Sequence, residues 1–94
     1  MQIKWLRRAL QNLDEEAAYI ARENPEAAAR LVEQIATSAG RLAANPALGR
    51  TGRVPTTREL VVSPTPYFIV YRVRSETVEI LRIFHGARQW PDRL

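Results

Sequence analysis

At 94 residues and 46% hydrophobic composition, the chain suffices for one domain, 1–94, with one modest core, and a partner could add much to its stability. It has no cysteine and one histidine, which excludes disulfides, thiolate zinc sites and histidine-rich metal centres, and no cofactor is expected. The formal charge is +4 and thirteen of the fourteen basic residues are arginine, a surplus that favours an acidic protein partner, RNA or DNA.

The opening "MQIKWLRRAL" lacks the apolar region of a secretory signal, and no apolar run reaches the ~20 residues that span a bilayer. A soluble, cytoplasmic protein with no membrane partner is therefore expected. Gln2–Trp5 reads as a short strand. From Leu6 the pattern turns helical, with Leu6, Leu10, Leu13, Ala17 and Ile20 on one apolar stripe and Arg7, Arg8, Gln11, Asp14, Glu15 and Arg22 facing water. Asn24 and Pro25 suit the N-cap and first turn of a second helix. That helix carries Ala28, Leu31, Ile35, Ala39 and Leu42 on its stripe, with Val32 beside it. Gly40 weakens it by about 1 kcal/mol relative to alanine, which predicts fraying or a bend. The tight link makes the two helices an antiparallel hairpin.

"ALGRTGRVPTT" at 47–57 is the one long irregular stretch. Three β runs follow, "RELVVS", "YFIVYRV" and "TVEILRIFH", separated by "PTP" and "RSE" turns. The predicted class is α+β in the order β-α-α-β-β-β, a helical hairpin on one face of a small antiparallel sheet. The runs are apolar on both parities in places, so alternation alone does not say which face the helices cover.

Chemistry is hinted at in two places. "GRTGR" at 49–53 lacks the lysine-serine/threonine ending of a phosphate-binding loop, yet Arg50, Arg53 and Arg58 make a basic edge, whose plainer reading is a solvated face. His85 ends the last apolar run, within a few residues of Arg82, Arg88 and Trp90. RNA cleavage needs a base to activate the 2′-hydroxyl and cations to stabilise the phosphorane, and His85, Arg58, Arg82 and Arg88 offer that inventory. The plainer reading of His85 is a hydrogen-bonded strand end.

Four pieces in order, "YIARENPEAAARLVEQI", "NPALGRTGR", "TRELVVSPTPYFIVYRV" and "VEILRIFHGARQWP", resemble the RelE/ParE superfamily. These are the toxin halves of bacterial type II toxin–antitoxin modules, among them the plasmid stabilisation proteins. The resemblance covers nearly the whole chain and implies the fold already read from the pattern. It also implies one of two activities. RelE-like members cut messenger RNA in the ribosomal A site; ParE-like members bind DNA gyrase and trap it on cleaved DNA. In a nuclease His85, Arg58, Arg82 and Arg88 would be catalytic. In either case Arg50, Arg53, Arg58, Arg88 and Trp90 would bind the target or RNA.

The Asn-Pro helix link and the ending "ILRIFH" look like ParE, while the lysines of a RelE cleft are missing, Lys4 being the only lysine. A gyrase poison is thus slightly preferred to a ribosome-dependent mRNA interferase, and a non-toxic basic module is a further alternative. The family implies a cognate acidic antitoxin held in a hetero-oligomer. "TTREL" at Thr56 to Leu60 has threonine where relatives often carry glycine, which would alter that loop.

Overall fold

A computed structural model describes residues 1–88. The elements run β1 (Gln2–Trp5), α1 (Arg7–Ala21), α2 (Pro25–Arg41), β2 (Arg50–Thr51), β3 (Arg58–Val61), β4 (Tyr67–Arg74) and β5 (Thr77–His85). The strands form one sheet in the order β1-β5-β4-β3-β2. Three of the pairings are antiparallel, as the short turns demand, but β1 lies parallel to β5. The sheet is therefore mixed rather than wholly antiparallel. The helical hairpin supplies the long crossover that a parallel pairing requires. The irregular stretch also contributes the two-residue β2 at the far edge.

Both parities of β4 are buried, for different reasons. Tyr67, Ile69 and Tyr71 pack with Leu13, Leu31 and Ile35 beneath the hairpin. Phe68 and Val70 join Leu81 and Phe84 on the opposite face. The helices thus cover the face of Tyr67, Ile69 and Tyr71, which alternation in sequence left open.

The first helix departs from its expected stripe. Leu6 is the extended N-cap and packs with the opposite-face cluster, while Leu10 is 47% exposed. Ala9, fully buried, takes the inward position, and its small side chain brings α1 close to β5. The second helix follows expectation. The Asn24 side chain accepts the Ala27 N–H at 3.0 Å, and α2 runs through Gly40 to Arg41 without a break.

Two devices anchor the long loop. The buried Tyr71 hydroxyl accepts from the Gly49 N–H at 2.8 Å and donates to the Pro46 carbonyl at 2.7 Å. Thr56 adopts φ 70°, the left-handed region where a β-branched residue is strained and glycine is not. Thr57 then donates its hydroxyl to the Val54 carbonyl at 2.7 Å and closes the turn. No helix among the described residues is long and apolar enough to cross a membrane.

Candidate functional site

The junction that ends β5 is built by three elements. His85 lies opposite Tyr67 of β4, their rings edge to face at 5.1 Å. The Tyr67 hydroxyl donates to Glu16 Oε1 of α1 at 2.7 Å. Arg88, just past β5, donates to the same oxygen at 2.7 Å. One carboxylate thus gathers a phenol and a guanidinium. Burial, and then the Glu16 carboxylate, push the Tyr67 phenol up to about 12. The bond to Glu16 likewise raises Arg88.

The histidine itself is committed to its turn. Its Nδ1 accepts the Ala87 backbone N–H at 3.2 Å. Beside it runs a groove of about 440 Å³ whose lining includes Tyr19, Leu31, Arg30, Pro66 and Tyr67. Tyr19 is 61% exposed and offers an aromatic wall.

The other sequence candidates lie elsewhere. Arg58 stands opposite Tyr71 and donates to the Gly49 carbonyl at 2.7 Å. Tyr71 is four positions along β4 from Tyr67, so Arg58 and His85 sit roughly 13 Å apart along the strand at ~3.3 Å per residue. Arg82 is three residues before His85 with regular pairing between, and therefore points to the opposite face. There its guanidinium lies 4.5 Å over the Phe84 ring and its Nε donates to Asn12 Oδ1 at 2.8 Å. Trp90 lies outside the described residues.

Arg50 and Arg53 converge on a residue the sequence reading passed over. Glu59 is 2% exposed. Arg50 donates to its Oε1 through Nε at 3.2 Å and NH2 at 3.0 Å. The Arg53 backbone N–H donates to Oε2 at 3.0 Å, while its guanidinium lies 3.3 Å from Oε1. A buried carboxylate without such partners would cost several kcal/mol. The signal for it was parity: on β3 Glu59 pairs with Val70, so it had to face the cluster away from the helices. Glu16 had a similar signal, a polar residue on the inward arc of α1 between Leu13 and Ile20.

The family model of the ParE toxin of type II toxin–antitoxin systems matches residues 3–90. Y4kP of Sinorhizobium fredii is 50% identical over 93 residues, 99% of this chain and 96% of that protein. Toxin RelE2 of Caulobacter vibrioides is 44% identical over 87 residues, 93% of this chain and 97% of that one. A solved structure described as the chromosomal ParDE toxin–antitoxin system from P. aeruginosa superposes with a TM-score of 0.82. It shares 32% identity and covers 90% of this chain and 95% of its own.

Proposed function

The chain belongs to the ParE toxin family of type II toxin–antitoxin systems, and from that premise we propose that it arrests bacterial growth by binding DNA gyrase. Its neutralising partner is a cognate acidic antitoxin. The relatives bear both RelE and ParE names, so names do not choose the target.

The observation that carries the gyrase reading is the dispersal of the nuclease inventory. A general base and its phosphate-stabilising cations must meet within hydrogen-bond reach of one phosphodiester. Here Arg58 is tied to the Gly49 carbonyl, Arg82 sits on the opposite face, and His85 Nδ1 is occupied. Of the four nuclease candidates only Arg88 stands near His85, and it is joined to Glu16. A toxin that acts by binding needs no such convergence. The groove beside His85 suits a protein partner: Tyr19 offers apolar contact, and Arg30 offers charge to an acidic segment.

The test is His85→Gln, expressed with and without the antitoxin, beside gyrase supercoiling and ribosome-dependent mRNA cleavage assays on the parent. A gyrase poison loses no proton transfer, so the variant stays at least partly toxic and the parent blocks supercoiling. Complete loss of toxicity in a folded variant, with cleavage by the parent, makes His85 the general base, whose removal costs about 10²–10⁴-fold in rate. Unimpaired growth with folded parent protein accumulating leaves only the non-toxic module.

A further inference from the structure

Where β1 leaves the sheet and α1 begins, four arginines surround one small pocket. Arg7 and Arg8 come from the first turn of α1, Arg72 from β4 and Arg82 from β5, and Leu6 and Leu81 form its floor. Its volume is about 280 Å³, and among the described residues no acidic side chain lines it. A register irregularity between Val70 and Tyr71 builds the site. Val70 pairs with Arg82 and Tyr71 with Ile80, so Leu81 is the extra residue of a bulge. Both Leu81 and Arg82 are thereby brought to the same pocket.

Two of the four guanidiniums are held in place. Arg72 Nε donates to Glu79 at 2.6 Å, and Arg82 Nε donates to Asn12 at 2.8 Å. Asn12 also accepts the Ile83 N–H at 3.1 Å, so the residue that holds Arg82 also closes β5 where β1 has ended. Arg7 and Arg8 are exposed and make no ion pair among the described residues.

Arg72 has a carboxylate partner in Glu79, but none of the ion pairs among the described residues includes Arg7, Arg8 or Arg82. Two arginines in the first turn of a helix oppose its dipole, where acidic residues are the stabilising choice. Burial, and then the nearby Arg8, act against the charge on Arg82, and Glu15 offsets them only in part. Like charges held close in the free protein become favourable once an anion sits between them.

We propose that this pocket binds the phosphodiester backbone of a nucleic acid, Arg72 and Arg82 forming a fixed wall and Arg7 and Arg8 closing over the phosphate. Arginine's planar fork matches the two non-bridging oxygens of a phosphate. An acidic protein segment is the poorer fit, because such segments also need apolar anchorage. The floor here is two leucines, one of them 8% exposed, whereas the other groove has Tyr19, 61% exposed, as the aromatic surface a protein docks on. Leu6 and Leu81 belong to the cluster on the face away from the helices. The pocket therefore stays open while a protein occupies the groove on the other side. This inference does not depend on whether gyrase is the target.

The test measures binding of short labelled oligonucleotides of one sequence, as single-stranded DNA, duplex DNA and RNA, to the full chain at about 0.1 M salt, where fields reach ~10 Å. The variant is Arg7→Gln/Arg8→Gln, which touches only exposed first-turn side chains; Arg82→Gln probes the fixed wall, and Arg41→Gln is the control. The first two should weaken binding on the order of tenfold, and the double variant should flatten the dependence of log K on log salt by about 0.7–0.9 per lost phosphate contact. Melting temperatures report that the variants are folded. The polymer held most tightly names the natural source of the phosphate. Absence of binding overturns the proposal, as does an equal loss in Arg41→Gln, which means a diffuse field. Displacement of the strand by polyglutamate at matched charge also overturns it, in favour of an acidic protein.

Discussion

Arg50 and Arg53 at one side of the sheet and Arg7 and Arg8 at the other have the same chemistry in the sequence, and the fold treats them in opposite ways. The first pair folds inward onto Glu59, a carboxylate whose side chain is 1% exposed, and fixes the loop into β2 and β3. The second pair stands at a helix start that disfavours cations, beside two further arginines. A net charge of +4 therefore says little about where binding occurs. What matters is which arginines already have a carboxylate. Arg88 is an intermediate case, half exposed yet joined to Glu16.

The largest expected effect breaks the first cluster. Glu59→Ala removes the shared partner of two guanidiniums and the acceptor of the Arg53 N–H. Loss of one member of a buried pair costs about 3–5 kcal/mol, and the low end is expected because both arginines keep contact with water. Urea denaturation reads it; a loss under about 1 kcal/mol would mean the loop does not depend on this carboxylate.

Arg88 and its partners give the next effect. The Tyr67 phenol is raised from 10.0 to about 12, so the fold favours its neutral form. Its contribution is whole below pH 10.0 and is lost as pH rises through about 12. Unfolding free energy should fall across that window more steeply in the parent than in Tyr67→Phe. Parallel curves would show that Tyr67 does not titrate as its burial and the Glu16 contact imply.

Thr56 tests the loop that Glu59 organises. A left-handed threonine costs about 1–2 kcal/mol, and glycine's extra freedom in the unfolded chain returns roughly 0.5–1 kcal/mol of that. Thr56→Gly should therefore stabilise by up to about 1 kcal/mol in the same denaturation assay, and destabilisation would contradict the φ of 70°.

The smallest effect separates the clusters most sharply. Arg7→Gln/Arg8→Gln should leave stability unchanged or raise it by about 0.3–1 kcal/mol, since it removes cations from a helix start. The gain should shrink at about 1 M salt, where the screening length is ~3 Å, whereas the loss in Glu59→Ala should persist. A marked destabilisation would make the second cluster structural like the first.

Much of this was legible in the chain. The 3.6-residue stripe of α2, the Asn24-Pro25 start and the apolar β runs are set by local chemistry, and they fixed element order and the hairpin. The family was legible for a related reason, since four pieces in order constrain more than any one does. Leu10 was misplaced because the stripe could not reveal that the helix begins at Arg7 and that Ala9 faces β5. The parallel pairing of β1 with β5 depends on contacts between residues some seventy-five positions apart, such as Gln2 with Thr77, and the bulge at Leu81 on the register of β4 against β5. The candidate site was half legible: His85 and Arg88 do share one end of the sheet, while Glu16, which holds Arg88, and Tyr67, which donates to the same oxygen, come from α1 and β4. Residue type states that an arginine is charged, and the sequence alone settled that. Whether the charge is spent on Glu59 or left facing outward in a pocket depends on strand parity and on which carboxylate the chain brings near, and only the tertiary structure decided it.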